Sequence, residues 1–554
     1  MSTIITEFAI NSISFDQHFG EIVRNTPDYP TKRDDISEFF DKCGKQHYRL
    51  LAYFSTLFKN STIIDIGTHR GHSALALSYE STNTVISFDI ENRLHNPFIK
   101  NHKNIRFEYD NLFEKNGQDK WRDTILSSSF IFLDVEPHNG VMEKELYCYL
   151  KSIGYTGFVI CDDVWYFKEM RDNFWYKIND AHRFDLTLVG HFSGTGVVVM
   201  SDQGATDFTA IYGEKTDLSN WTLVTSYFDL TKFHDASQEI RDRDFNYYMS
   251  HSLSTLYLPY NLVIYCDEAS YPNIHKIRSS ETWLSDRTRY IIQSFDKFRF
   301  KMPGGIVLKE TFADYREKII ENRRIKPYIF DPRNTASYYL FCMSRYIILK
   351  ETVEINPFGS SHFAWINLCI ERMGYSNLVH LEEALSVNRE KFSTCYIDYI
   401  DPEYIDPKSV RDTAEYFKFG RCSMCSGFFT GNGVYMTIFC DGIIGIFLKY
   451  LEEGYGHSDE TLYPIVLLNC SEFLFHHYYG DYQQMITNYK YVYESPEAPI
   501  YNFIRNSFEK GNYVKCLEAC NYINYSIETG KCGLDNDYTR HLKYYMTQCQ
   551  LEIR

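Results

Sequence analysis

Ile63-Ile64-Asp65-Ile66-Gly67-Thr68-His69-Arg70-Gly71-His72-Ser73 runs from a β-branched strand through two glycines into the helical sequence Ala74-Leu75-Ala76-Leu77. Gly67 predicts a tight turn, Gly71 a point where a side chain would obstruct a ligand, and the helix start offers free N–H donors. The glycine spacing differs from the dinucleotide pattern and leaves Asp65 at the strand end. A zwitterionic adenosyl ligand therefore suits the loop better than a phosphate.

One helix further on, Val85-Ile86-Ser87-Phe88-Asp89 is a short apolar run ending in an acid, where a second parallel strand would set a carboxylate against ribose hydroxyls. Ile105-Arg106-Phe107-Glu108-Tyr109-Asp110 again ends acidic. With these acids in place, residues 60–205 resemble class I S-adenosylmethionine-dependent methyltransferases. The resemblance implies a Rossmann-like, seven-stranded α/β domain, with S-adenosylmethionine held at Asp65, Gly67, Gly71, Asp89 and Asp110.

Two more strand ends carry acids: Phe130-Ile131-Phe132-Leu133-Asp134, followed by Val135-Glu136-Pro137-His138, and Phe158-Val159-Ile160-Cys161-Asp162-Asp163. In a doubly wound sheet both open onto one crevice, where converging carboxylates repel unless a hard divalent cation relieves them. This layout resembles the metal-dependent sugar O-methyltransferases of the macrocin and mycinamicin type. That resemblance makes Asp134, Asp162 and Asp163 ligands of Mg2+ or Mn2+, and His138 the general base. A neutral imidazole suits removal of a hydroxyl proton near neutral pH.

The 554 residues leave room for further domains. A formal charge of −16 argues against nucleic acid as the main ligand, since phosphate binding needs clustered Lys and Arg. The N-terminus lacks the pattern of a secretion signal, and no uninterrupted apolar run reaches the ~18 residues of a membrane span, so a soluble, cytoplasmic chain is expected. Fifteen scattered cysteines fit reduced thiols better than a disulfide framework. The one CxxC, Cys422-Ser423-Met424-Cys425, lacks a second ligand pair at zinc-ribbon spacing.

Residues 1–60 read as a helical extension capping the first strand, and residues 61–205 as the methyltransferase domain. The polar break Ser201-Asp202-Gln203-Gly204-Ala205-Thr206 predicts the first boundary. Beyond it, 221–229 and 262–268 read as strands, 279–298 as helical, and Tyr346-Ile347-Ile348-Leu349 as a further short apolar run, which together predict a second α/β layer structure.

The ordered set Val224-Thr225-Ser226-Tyr227-Phe228-Asp229, Asn261 to Asp267, Asn356-Pro357-Phe358 with Phe363-Ala364-Trp365-Ile366-Asn367, Gly427 to Gly431, Asp459-Glu460 and Tyr479-Gly480-Asp481-Tyr482 resembles the HtrL/YibB family over about 218–492. Members look like GT-A glycosyltransferases, which use nucleotide-sugar donors. The resemblance implies a domain over 215–494, with Thr225, Ser226, Tyr227, Asp267 and Arg278 at the nucleotide, and Asp459 or Glu460 as general base. Asn367 stands where relatives carry the Asp of a metal-binding Trp-Ile-Asp motif. Asn keeps an oxygen ligand but loses the charge, which weakens a metal site.

Residues 495–554 read as a small helical tail. Together these readings describe a bifunctional glycan-modifying enzyme acting on a saccharide or glycan acceptor, with homo-oligomerisation left open. The competing expectations are that the second domain is a non-catalytic scaffold, and that the methyl group goes to a non-sugar hydroxyl.

Overall fold

Thr62–Ile66 (β1) is apolar and β-branched apart from Asp65, and all but its first residue are buried. Continuous apolar runs of this kind belong to parallel strands covered on both faces. In the computed structural model β1 lies inside a seven-stranded sheet with β2 (Thr84–Phe88), β3 (Ile105–Glu108), β4 (Phe130–Leu133), β5 (Phe158–Asp162), β6 (Arg183–Asp185) and β7 (Thr195–Val199). The order is β3-β2-β1-β4-β5-β7-β6. The first five strands are parallel and β7 runs antiparallel to both its neighbours. This is the seven-stranded α/β sheet that the sequence implied. Strand order reverses at β1, which has β2 on one side and β4 on the other, so a crevice opens there at the carboxyl ends.

The structure describes residues 5–15, 39, 42–213, 215–328, 330–373, 375–387, 391–400, 413–418, 424–469, 477–479, 486, 497–529 and 532–554. Residues 422, 423 and 480–482 of the quoted motifs lie outside these. The chain divides into two compact units, Met1–Lys215 and Thr216–Arg554.

In the first unit, helix Lys42–Thr56 buries Leu50, Leu51 and Phe54 in one core with Phe130, Phe158 and Phe184. The polar stretch from Ser201 begins a helix, Asp202–Tyr212: Ser201 caps it by accepting from the Gly204 N–H, and Phe208 joins the same core.

In the second unit, β8 (Trp221–Tyr227), β9 (Asn261–Cys266), β10 (Thr288–Ile292), β13 (His362–Ile366) and β15 (Phe428–Asn432) form a sheet of order β10-β9-β8-β13-β15. The short pairs β11 (Lys301–Met302) with β12 (Ile306–Val307), and β14 (Thr394–Tyr396) with β16 (His477–Tyr479), lie outside it. Only β15 runs antiparallel in the main sheet.

Two expectations are corrected here. The 279–298 segment is not one helix, because its β-branched centre pairs with β9 as β10. Tyr346-Ile347-Ile348-Leu349 lies within helix Ala336–Ile355, a short apolar run being ambiguous until its neighbours decide it. Helix Gly433–Glu452 has the length and apolarity of a span, with mean hydropathy 1.6. Reading only uninterrupted runs missed it, because Asp441 divides it. Asp441 pairs with Lys350, and Met436, Phe439, Ile443 and Phe447 sit in the core. Tail helices Tyr513–Glu528 and Asn536–Glu552 contribute Cys516, Ile523 and Leu542 to that core.

Candidate functional sites

The glycine loop is set by packing. The N–H groups of Gly67 and Thr68 both donate to the Phe88 carbonyl, which carries the chain from β1 across the end of β2. Gly67 has φ 101°, and a Cβ there would lie 1.7 Å from the Asp134 carbonyl oxygen. Gly71, φ 82°, begins the buried helix His72–Leu77, and its Cβ would meet Ile99 at 2.6 Å. The reason for Gly71 is thus close helix packing, which corrects the expectation of ligand clearance.

Around this turn lies a cleft of about 970 Å³, open mouth included, lined by Gly67, His69, Asp89, Arg93, Asp110, Phe113, Asp134 and His138 among others. Asp89 accepts from the His69 N–H at 2.8 Å and the Glu91 N–H at 3.1 Å, so backbone donors fix its carboxylate at the rim. Asp110 accepts from Lys120 Nζ at 2.6 Å and Trp121 Nε1 at 2.8 Å, and these bonds hold its carboxyl below the ordinary range.

Asp65 is not among the lining residues. It is fully buried, accepts from the Ser87 hydroxyl, and burial pushes its pKa up to about 6. Its expected place at the ligand is corrected to a position inside the sheet.

The acids after β4 and β5 fall into two clusters. Asp134, His138 and Asp163 bring one ligand atom each to within 4.8 Å of one another, with His138 Nδ1 3.2 Å from Asp163 and 3.8 Å from Asp134. His138 and Asp163 both have left-handed backbones, φ 53° and 59°, and His138 stacks on Phe167 at 5.0 Å. Non-glycine residues persist in that region only where their surroundings hold them, a pattern that concentrates at functional sites. Burial and the charges of Asp162 and Asp163 push Asp134 well above its ordinary range, and burial with Asp162 raises Asp163.

Asp162 instead joins His47 and His191. Although burial works the other way, the two imidazoles hold its carboxyl below the ordinary range. The expected Asp134, Asp162 and Asp163 set is therefore corrected: Asp162, at the end of β5, falls in the cluster with His47 and His191, near enough for its charge to act on the other two. His47 and His191 carried no sequence signal, since neither belongs to a recognisable motif.

In the second unit a pocket is lined by Ser226, Tyr227, Arg243, Tyr248, Arg345, Trp365, Asn367, Arg372, Asp459 and Glu460 among others. Ser226 and Tyr227, at the end of β8, are among these lining residues. Thr225 is fully buried and is not among the lining residues. Asp267 accepts from the Ser270 and Asp229 N–H groups and lines a neighbouring hollow with Asp229.

Arg278 is corrected outright. It is fully buried and donates to the carbonyls of Leu256, Leu258 and Tyr260 and to the Thr288 hydroxyl, so it holds a loop together. Asn367 Oδ1 accepts from the Trp365 indole at 2.9 Å.

Asp459 is buried, paired with Arg345 at 2.7 Å, and accepts from the Tyr346 hydroxyl at 2.6 Å. A carboxylate so engaged is a poor base, whereas Glu460, beside it, is partly exposed and accepts from the Ser426 hydroxyl at 3.0 Å. Arg345 was missed, although one guanidinium within the apolar turns of helix Ala336–Ile355 signals a buried ion pair.

Comparison with known proteins bears on both units. The first is similar to a candidate caffeoyl-CoA O-methyltransferase from Staphylococcus aureus, at 14% identity, covering 35% of this chain and 96% of that one with a TM-score of 0.23. It is also similar to a methyltransferase of Podospora anserina solved with S-adenosylhomocysteine bound, at 13% identity, 34% and 98% coverage and a TM-score of 0.20. No curated protein matches the chain. Residues 219–490 match the model of a family described as "Bacterial protein of unknown function (HtrL_YibB)". A seven-stranded α/β unit is joined, in one chain, to a segment, residues 219–490, that matches the HtrL_YibB family model.

Proposed function

We propose that the first unit is an S-adenosylmethionine-dependent O-methyltransferase acting on a saccharide hydroxyl. The observation that carries this reading is the cleft at the strand-order reversal, lined by Asp89, Asp110, Asp134 and His138 among others, with Asp163 clustered with the last two. Asp89 is poised for ribose hydroxyls and Asp110 for the base edge. Asp134 and Asp163 fit a divalent cation, since two close carboxylates raised in pKa gain from a positive charge between them. Such an ion, Mg2+ or Mn2+, would acidify an acceptor hydroxyl. His138, steered through Nδ1 by Asp163, takes the hydroxyl proton.

For the HtrL_YibB segment the reading is glycosyl transfer from a nucleotide sugar. Arg243 and Arg372 beside Tyr227 and Tyr248 suit a diphosphate and a flat base. Glu460 serves as base. Asn367 accepts from the Trp365 indole and carries no charge, which leaves it a weak metal ligand.

Isothermal titration of the full chain with S-adenosylmethionine and a panel of nucleotide sugars tests both halves. Binding of each, with a methyl and a glycosyl mass increment on glycan acceptors, supports the reading. Absence of S-adenosylmethionine binding ends the first half, and absence of any donor binding leaves the second unit a scaffold.

A further inference from the structure

His47, Asp162 and His191 come from three separate parts of the first unit. His47 lies on helix Lys42–Thr56, Asp162 ends β5, and His191 sits in the loop before β7. The side chains of His47 and Asp162 are 8% and 5% exposed, and that of His191 is 24% exposed.

Asp162 Oδ2 lies 3.2 Å from His191 Nδ1 and 3.9 Å from His47 Nε2, and one ligand atom from each of the three residues falls within 4.8 Å of the others. The two imidazole rings are tilted to one another with centroids 4.7 Å apart. His47 also lines a hollow with Gly67, Thr68, His72 and Asp134, which gives the cluster a route from solvent.

His191 Nδ1 has three oxygens within reach, both of Asp162 at 3.3 and 3.2 Å and the Ser193 hydroxyl at 2.7 Å, yet it carries at most one hydrogen. The 3.9 Å separation of His47 from Asp162 is too long for a hydrogen bond. It is near what a shared ion requires: donors bonded to a cation at ~2.0–2.2 Å stand about 3–3.5 Å apart around it.

We propose that His47, Asp162 and His191 form a second cation site, separate from the Asp134 and Asp163 pair, that takes a first-row transition ion such as Zn2+. Two imidazoles and one carboxylate are the donor set of a borderline ion rather than of Mg2+, which takes oxygen ligands. The site ties helix Lys42–Thr56 to the end of β5 and to the loop before β7. Occupancy therefore stabilises the first unit by linking three segments distant in sequence. The inference does not depend on methyl transfer, because it is read on the metal itself.

The test is Zn2+ titration of the full chain after chelator treatment and dialysis, in three forms. The unaltered chain and the Asp134→Asn/Asp163→Asn variant are expected to bind one Zn2+ at this site with matching affinity and to melt at higher temperature when loaded. His47→Gln/His191→Gln is expected to lose at least about 100-fold in that affinity. Unchanged Zn2+ affinity in the histidine variant, or loss in the Asp134→Asn/Asp163→Asn variant alone, overturns the proposal. If the histidine variant does not fold, pulsed electron paramagnetic resonance of Cu2+ on the unaltered chain decides. A species with two coordinated imidazoles supports the site, and its absence overturns it.

Discussion

Asp162 and Asp163 are adjacent in sequence, but their carboxylates serve different clusters: Asp163 lies with Asp134 and His138, while Asp162 lies with His47 and His191. The left-handed backbone of Asp163, φ 59°, turns the chain as β5 ends and separates the two side chains. Substitutions at neighbouring positions should therefore have different consequences. Asp163→Asn is expected to abolish methyl transfer with little change in melting temperature. Asp162→Asn leaves two imidazoles without their carboxylate and should lower the melting temperature, as differential scanning calorimetry would record.

Asp89 offers the cleanest test of cofactor binding, because its contacts are to backbone N–H groups of its own rim and not to the core. Asp89→Ala is expected to weaken S-adenosylmethionine binding by about 10- to 100-fold, the loss of one or two charge-assisted hydrogen bonds. Isothermal titration checks it, and full affinity in the variant would remove Asp89 from the site.

Gly67→Ala should be far more damaging than Gly71→Ala. The first places a methyl 1.7 Å from the backbone carbonyl of Asp134, which cannot yield without moving β4, while the second meets side-chain methyls of Ile99 and Leu94 at 2.6 and 3.0 Å. A loss of more than about 3 kcal/mol is expected for Gly67→Ala, measured by urea unfolding.

The buried Arg345 and Asp459 pair predicts a split between stability and turnover in the second unit. Arg345→Met strands a buried carboxylate and should cost about 3–5 kcal/mol. Glu460→Gln should leave stability within about 0.5 kcal/mol and abolish glycosyl transfer. Methyl transfer, in contrast, should be lost in EDTA.

His457 sets an acid limit. Its Nε2 lies 2.7 Å from the Phe417 carbonyl, its ring stacks on Tyr328 at 4.0 Å, and burial pushes its pKa down to about 3. A histidine depressed in the folded state binds fewer protons there than when unfolded. Its contribution is complete above pH ~6.5 and is lost as pH falls from there toward 3, by about 1.4 kcal/mol per unit. Melting temperatures between pH 7 and 4 should fall less steeply for His457→Gln than for the unaltered chain.

Much of the architecture was legible beforehand. The apolar runs that became β1 to β5, β8 and β9 are short, bounded by polar turns, and flanked by helical patterns, so local composition and spacing decided them. Asp89 and Asp110 followed from position, since a residue just past a strand in a doubly wound sheet must face the crevice.

The sequence by itself determined which strands form and which acids stand at their ends, because strand propensity and the period of burial are local properties. Only the tertiary structure decided how those acids combine. It buried Asp65 within the sheet, paired Asp459 with Arg345 from another helix, turned Arg278 into a brace for backbone carbonyls, and drew His47 and His191 to Asp162. These pairings join residues far apart in the chain, and the direction of each side chain is fixed by packing and backbone twist, which no local pattern encodes.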